Sequence, residues 1–288
     1  MKKTIILIIT VILFCNNIYA QFFWTRLSRE KPNVNNMTVI DSGNVRIWYA
    51  LNATDIKKQE TYDDLQRLEV GSHISKCYSH FIFNNDSLIT DWRKKHPNAQ
   101  TVPISLGEKG KKKSWDEYRN SEYFKDFSKN SFSEYVCMPR GIPNQQYSEN
   151  ISIQSWDILA DTTTVAGYLC QKATCTFRGR NYTAWFAMGI PIQNGPWKFG
   201  GLPGLILKVY DSDKLYVFEC VKIESFKKKY PIKIHDYKSF ERTNRQKLHK
   251  FLEKIYGDYY NMAEIIHTNN DGTPRPWKKI PYNPLELE

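Results

Sequence analysis

Apolar and β-branched runs, separated by polar turn residues, divide the chain into segments that predict strands. Residues 45–51 (VRIWYAL) predict one strand, and residues 68–83 predict one or two more, with Gly71 as a bulge. Residues 84–86 (Asn-Asn-Asp) predict a turn, residues 94–110 a polar loop, and residues 115–126 a short helix.

The strongest strand pattern lies between residues 152 and 223. Apolar segments follow one another at 152–159, 165–177, 182–188, 205–210 and 215–223. Short turns are predicted at 160–163, 178–181 and 211–214. Because strands joined by short turns pair antiparallel, the predicted fold class is mainly β (α+β), a curved antiparallel sheet or an open barrel-like meander.

The C-terminal part has a different pattern. Leu248, Phe251, Leu252 and Ile255 recur at helical spacing, which predicts a helix over 240–255 that packs on the sheet and ends at Gly257. Residues 274–284 are rich in proline and predict an extended segment. With no internal repeat and no linker-like segment, residues 21–288 are expected to form a single domain.

The first twenty residues have the pattern of a secretory signal peptide. Lys2 and Lys3 precede an apolar run over 4–14, and a short polar exit ends at Ala20. The run is too short to span a membrane, and bulky Phe14 before Cys15 disfavours a lipoprotein signal. We therefore expect export, with the mature protein in the periplasm or associated with the outer membrane.

Charge and composition narrow the class of partner. The chain has 288 residues, a net charge of +11 and 41% apolar residues, which is typical of a globular protein. The basic clusters lie at residues 109–113, 227–229 and 278–279. Outside the cytoplasm nucleic acid is not an expected partner, whereas peripheral contact with an anionic membrane surface is.

Export changes how the cysteines are interpreted. Without Cys15 the disulfide candidates are Cys77, Cys137, Cys170, Cys175 and Cys220, and an odd number leaves at least one thiol unpaired. If Cys170 and Cys175 lie on one strand, five residues at about 3.3 Å each separate them too far to bond with each other. The pairing stays open.

The segment 194–207 is turn-rich and yet apolar. Pro203 and Gly204 fit the centre of a type II turn, in which the glycine supplies a positive φ. An apolar loop either packs on the core as a plug or is displayed to a partner. The candidate binding residues, from this segment and the preceding strand, are Trp185, Pro196, Trp197, Phe199, Gly201, Leu202, Pro203, Gly204 and Leu205.

The hexapeptide at residues 201–206 (GLPGLI) resembles the motif for which the GLPGLI family of exported Bacteroidota proteins is named. Residues 167–173, 177–180, 184–186 and 190–191 and the tail 281–286 resemble that family in the same order. The resemblance is firm over 151–210 and loose elsewhere. It implies an envelope protein of the periplasm, and it implies no reaction and no catalytic residue.

Catalytic and metal-binding motifs are sparse. The sequence has no GxSxG, HExxH, CxxC, P-loop or Rossmann glycine pattern, and no cofactor is predicted. His73, Cys77 and His80 are the nearest approach to a metal cluster, but on a strand they would not share one face. Asp211 and Asp213 form a carboxylate pair whose turn context needs no catalysis.

Two functions therefore remain. The first is non-catalytic binding of an apolar or peptide ligand, or of a membrane-protein partner, which predicts an apolar concavity beneath the Trp197 loop. The second is an envelope hydrolase, which predicts a cleft with a histidine base, His73, His80 or His235, within hydrogen-bond reach of a nucleophile.

Overall fold

The computed structural model describes residues 32–112, 114–266 and 268–288. The predicted leader over residues 1–20, including Cys15, lies outside the described residues. Within the described ranges, no helix is long and apolar enough to cross a membrane.

In the described part of the chain twelve strands form one open sheet, which confirms the mainly β (α+β) fold class. In chain order the strands are β1 Thr38–Leu51, β2 Asp64–Gly71, β3 Ile74–Ser79, β4 Ser121–Asp126, β5 Ser131–Val136, β6 Gln145–Asn150, β7 Asp157–Val165, β8 Tyr168–Phe177, β9 Arg180–Ala187, β10 Leu205–Asp211, β11 Val217–Ile234 and β12 Glu241–Arg242. Their order across the sheet is β12-β6-β5-β4-β3-β2-β1-β11-β10-β9-β8-β7. Neighbours pair antiparallel except β12, which runs parallel to β6.

Three α-helices accompany the sheet in the described ranges: α1 His80–Lys95, α2 Glu117–Asn120 and α3 Arg245–Met262. Neighbouring residues of a strand point to opposite faces, so Tyr49 and Ala50 on β1 mark the two sides. Tyr49 belongs to the large core together with α3, whereas Ala50 packs with Phe81 of α1. The C-terminal helix therefore packs on one face, as predicted, and α1 covers part of the other.

The paired strands β1 and β11 are long and change register near Gly43. Val45 pairs with Ser225 but Gly43 pairs with Tyr230, so residues 226–229 bulge out of the ladder. A Cβ at Gly43 would lie 2.1 Å from the carbonyl oxygen of Val70, which explains the glycine. β11 continues after the bulge to Ile234, beyond the predicted end at residue 223. The loop that follows it lies on the α1 side of the sheet.

The predictions for residues 80–86 were wrong, because this segment is the first half of α1 rather than a strand followed by a turn. Ser79 caps the helix, with its Oγ accepting a hydrogen bond from the Ile82 amide at 3.1 Å. Asn84 and Asn85 accept bonds from the Glu108 and Leu106 amides, so they anchor the following loop and do not form a turn.

The C-terminal helix differs from its predicted bounds at both ends. It begins at Arg245, where the Asn244 side chain accepts a bond from the Lys247 amide at 2.9 Å. Gly257 does not end it: the helix runs to Met262 across a kink at Asp258, whose φ is −156°. Tyr259 and Tyr260 beyond the kink are buried in the core, which favours continuation.

Two further segment boundaries need correction. The turn predicted at 160–163 lies inside β7, which absorbs it as a register shift between Ile158 and Thr162. The helix predicted over 115–126 is restricted to α2, and its second half is β4.

Candidate functional site

The loop between β9 and β10 folds onto the core. Trp197, Phe199, Leu202 and Leu205 are buried, and the Phe199 ring lies 4.8 Å from that of Tyr182 in an edge-to-face contact. An isolated bridge between Asn194 and Gly200 closes the loop on itself. These apolar side chains therefore contribute to packing in this conformation.

The nine candidate binding residues do not form one surface. Pro196 and Gly204 are buried, Gly201 and Pro203 are exposed, and Trp185 is half-buried on the opposite face of β9 from its buried neighbours. The space beside Trp197 measures about 10 Å³, room for about one water molecule. A ligand role for this loop stays a prediction, and it would require the loop to move.

The type II turn predicted at Pro203 and Gly204 was wrong. Gly204 does not adopt a left-handed φ, whereas Gly201 does, at 78°. Gly204 is instead needed for close approach, because a Cβ there would lie 2.3 Å from the Ala187 carbonyl oxygen at the end of β9.

A buried lysine of the sheet forms hydrogen bonds with the loop between β9 and β10. Lys125 on β4 donates to Asn194 Oδ1 at 2.8 Å and to the Phe199 carbonyl oxygen at 2.5 Å. Burial lowers the pKa of Lys125 to about 7, and the nearby Cys77 thiol opposes that shift. The amine is therefore close to losing its charge at neutral pH while it still bonds the loop.

Lys125 predicts a specific pH dependence of stability. The unfolded chain keeps the lysine protonated to about pH 10.4, but the folded protein releases that proton above about pH 7. Between these values the unfolded state binds more protons, so stability rises with pH by up to about 1.4 kcal/mol per unit. Urea titrations from pH 7 to 9 should show that the stability of Lys125→Met lacks this rise and that the exposed-site control Lys129→Met keeps it. The same change in stability with pH in the wild type, Lys125→Met and Lys129→Met would contradict the prediction.

Lys198, which precedes Phe199 in the same loop, lies at the centre of a buried ion cluster. Its Nζ is 2.9 Å from Glu149 Oε1 and 2.5 Å from Glu286 Oε1, and all three side chains are mostly buried. Arg178 and Arg245 each lie within 4 Å of both carboxylates. Burial and the neighbouring cations lower the pKa of His249, which faces Glu286, to about 4.

This cluster fixes the C-terminal tail across the core. The Tyr182 hydroxyl donates to the Leu285 carbonyl oxygen at 2.6 Å, the Leu285 amide donates to the Tyr118 hydroxyl at 2.5 Å, and Arg180 donates to the Pro284 carbonyl oxygen. Leu285 is buried in the main core. The loop between β9 and β10 (residues 188–204), which we call the GLPGLI loop, and the C-terminal tail therefore hold each other in place.

The disulfide prediction was wrong for the described residues. Cys77, Cys137, Cys170, Cys175 and Cys220 all carry thiols, and none is bonded to another. Cys170 and Cys175 do share one strand, β8. All but Cys137 are buried, where cysteine packs as a small apolar residue; burial raises the pKa of Cys77 to about 11 and of Cys220 to about 12.

A polar cleft opens on the opposite face of the sheet, next to α1. Strands β3 and β4 form its floor, the first turns of α1 form one wall, and the loop 235–240 after β11 forms another. Its volume is about 330 Å³. We call it the α1 cleft; its size lies in the range of small-molecule sites.

Glu122 is the central charged group of the α1 cleft. The Lys76 ammonium lies 2.6 Å from Glu122 Oε2, the Tyr237 hydroxyl donates to the same oxygen at 2.6 Å, and His235 Nε2 lies 3.9 Å from Oε1. Burial alone would raise the pKa of Glu122, but Lys76 and His235 hold it below its usual value. Glu122 is therefore a charged acceptor fixed in one orientation.

A second charged pair supports the wall beneath α1. Ser79 Oγ donates to Asp64 Oδ1 at 2.6 Å, and Arg119 Nε lies 3.8 Å from the same oxygen. Arg119 also donates to the carbonyl oxygens of Lys112 and Ser114. Burial raises the pKa of Asp64 to about 6, against the opposing effect of Arg119.

The other predicted site residues are dispersed. His73 lies in the turn between β2 and β3, Cys77 is on β3, and His80 is the first residue of α1, where it packs against Trp48. Among the described residues no cluster of three metal-ligating side chains occurs. Asp211 is buried and pairs with Arg180 at 3.3 Å, a structural role.

The α1 cleft was not predicted from the sequence, although two of its lining residues, His235 and Cys137, were candidates for other roles. Its residues come from five separate segments between positions 32 and 240. The one local signal was the polar stretch after β11, where His235, Tyr237 and Phe240 alternate with polar residues. Lys227, Lys228 and Lys229 in the β11 bulge are exposed, as expected of a basic surface cluster.

A family model described as a protein of unknown function (Porph_ging) matches residues 176–208. Two structures of PNGF-II, in the C2 and P21 space groups, resemble this chain with TM-scores of 0.43 and 0.44 and 13% identity. They cover 74% and 73% of this chain, which spans 33% of each of theirs, about one third of their length. No curated protein sequence matches the chain.

Proposed function

We propose that the chain is an exported envelope protein of the GLPGLI type that binds a small polar ligand in the α1 cleft. The cleft carries the proposal because it combines a volume of about 330 Å³ with a fixed carboxylate, Glu122, and half-exposed aromatic rings. Concave sites with a few oriented polar groups are the usual form of a small-molecule site.

The expected apolar or peptide ligand beneath Trp197 has less support. The roughly 10 Å³ beside Trp197 is lined by Lys198, Glu134 and Glu286, so it is small and charged. A ligand there would have to displace buried core side chains. The α1 cleft needs no such rearrangement, and we therefore place binding there.

Export and family membership are supported by the leader pattern and by the hexapeptide at residues 201–206, which lies inside the segment matched by the family model. Contact with an envelope protein, or with a membrane through the basic clusters, remains compatible with this proposal.

The test is native mass spectrometry of the protein purified gently from its own envelope. We expect a reproducible added mass on the wild type. Ser239→Trp should lose that mass, because Ser239 lines the α1 cleft and an indole there would fill it. Its exposed neighbour Lys238 provides the matched control Lys238→Trp, which should keep the mass. Equal added mass on both variants, or a bare wild-type chain, would overturn binding in the cleft.

A further inference from the structure

We infer that the ligand of the α1 cleft is a neutral saccharide of one or two rings; this inference rests on the proposed binding function. It follows from four properties of the cleft: its amide and hydroxyl groups, its internally balanced charges, its aromatic walls and its size.

The lining is rich in groups that both donate and accept. Asn33, Asn120 and Asn144 each use one side-chain atom in a local hydrogen bond. For Asn120 and Asn144, no hydrogen bond within the described ranges engages the other amide atom, Oδ1 and Nδ2 respectively. Ser239 adds a hydroxyl. A ligand with many hydroxyls matches such a lining, because each hydroxyl can also donate and accept.

The strong charges at the floor are already compensated. Glu122 is paired with Lys76, and Arg119 lies against Asp64. An anionic ligand such as a phosphate ester would need a cation that is not committed to a carboxylate. A cationic ligand would have to compete with Lys76, whose Nζ also donates to the Lys233 carbonyl oxygen at 3.0 Å. The carboxylates of Asp86 and Asp236 also line the cleft, and each has a partner of its own. A neutral ligand can bind without displacing any of these contacts.

Two half-buried phenyl rings line the cleft from different elements. Phe83 on α1 meets Tyr78 edge-to-face at 5.4 Å, and Phe240 after β11 meets Tyr237 in the same way at 4.8 Å. These contacts, together with the Arg67 guanidinium 5.0 Å from the centroid of the Phe83 ring, fix the positions of both rings. Each ring can offer the face that they leave open to the C–H face of a sugar. A fatty acyl chain would gain from the rings but would leave the polar floor without partners.

Cys137 provides a reporter for the experiment. It lines the cleft and is half-buried, whereas Cys77, Cys170, Cys175 and Cys220 are buried. Iodoacetamide labelling followed by peptide mass spectrometry therefore measures access to the cleft at a known residue. A bound ligand slows labelling by the factor 1 + [L]/Kd, about tenfold when its concentration is about ten times the Kd.

The probes are glucose, galactose, mannose, N-acetylglucosamine, maltose and lactose, compared with glucose 6-phosphate, decanoate and the peptide Ala-Leu-Ala. We expect at least one neutral sugar to protect Cys137 saturably. Phe83→Leu and Phe240→Leu should each weaken that protection about three- to tenfold, because leucine keeps apolar volume without a ring face. The control Phe127→Leu, at an exposed turn residue, should leave it unchanged.

The outcomes separate the two proposals. Protection by the phosphate ester, decanoate or the peptide, without protection by any neutral sugar, would overturn the saccharide class and leave binding in the cleft intact. Absence of protection by every probe would also overturn the saccharide class. Binding in the cleft would then be decided by the added mass on the wild type and on Ser239→Trp.

Discussion

Lys198→Met is expected to lower the free energy of unfolding by about 3–5 kcal/mol, because it leaves buried carboxylates without their central cation. Lys198 contacts Glu149 and Glu286 within 2.9 Å, and the Glu286 side chain is 3% exposed. Arg178 and Arg245 remain near both carboxylates but at 3.4 Å or more. Urea unfolding at pH 7 measures the difference.

The same substitution at the surface is the control. Lys222 lies 2.5 Å from Glu224, an equally short pair, but the Lys222 side chain is 61% exposed. Water and salt screen such a pair, so Lys222→Met should cost less than about 1 kcal/mol. Equal effects at the two sites would show that burial of the cluster does not determine its energy.

A second variant tests whether the cluster anchors the tail. With Lys198→Met in place, changing Glu286 to glutamine removes one of the two buried carboxylates that have lost Lys198, and it should restore part of the lost stability. Hydrogen exchange at the Leu285 amide, which bonds the Tyr118 hydroxyl, should quicken in Lys198→Met. Unchanged exchange there would mean that the tail is held independently of Lys198.

Local patterns predicted much of the sheet and the existence of the C-terminal helix. β1, β8, β9 and β10 were predicted because their apolar residues and turns are adjacent in sequence. The start of α1 was missed because residues 80–83 are apolar enough for a strand and Asn84 and Asn85 are typical turn residues. Their side chains bond a loop more than twenty residues away, which no local pattern shows.

The candidate sites were harder to predict because they depend on long-range contacts. The partners of Lys198 are Glu149 and Glu286, 49 and 88 residues away. The α1 cleft likewise depends on the β11 register shift near Gly43, which brings His235 beside Glu122. The apolar composition of the GLPGLI loop predicted candidate binding residues there, but composition does not distinguish a loop packed on the core from a ligand-binding surface.

Gly204→Ala should destabilise the fold by about 2–3 kcal/mol or more, because the added methyl group meets backbone that cannot move without disturbing β9. The new Cβ would lie 2.3 Å from the carbonyl oxygen of Ala187 and 2.7 Å from its carbon. Leu205 pairs with Ala187 in the ladder, so relief of the collision would separate β9 from β10 where the loop begins. Thermal and urea unfolding measure the loss.

Gly189 provides the matched control, since it lies two residues after Ala187 and a Cβ there would meet no atom within 4 Å. Gly189→Ala should change stability by less than about 0.5 kcal/mol. Asparagine variants separate the effect of close approach from that of turn conformation. Gly201 has a positive φ, which asparagine tolerates. A Cβ added at Gly201 would lie 3.0 Å from a methyl group of Ile153, a side chain that can move. Gly201→Asn should therefore be milder than Gly204→Asn; the reverse order would restore the type II turn, with its left-handed residue at Gly204.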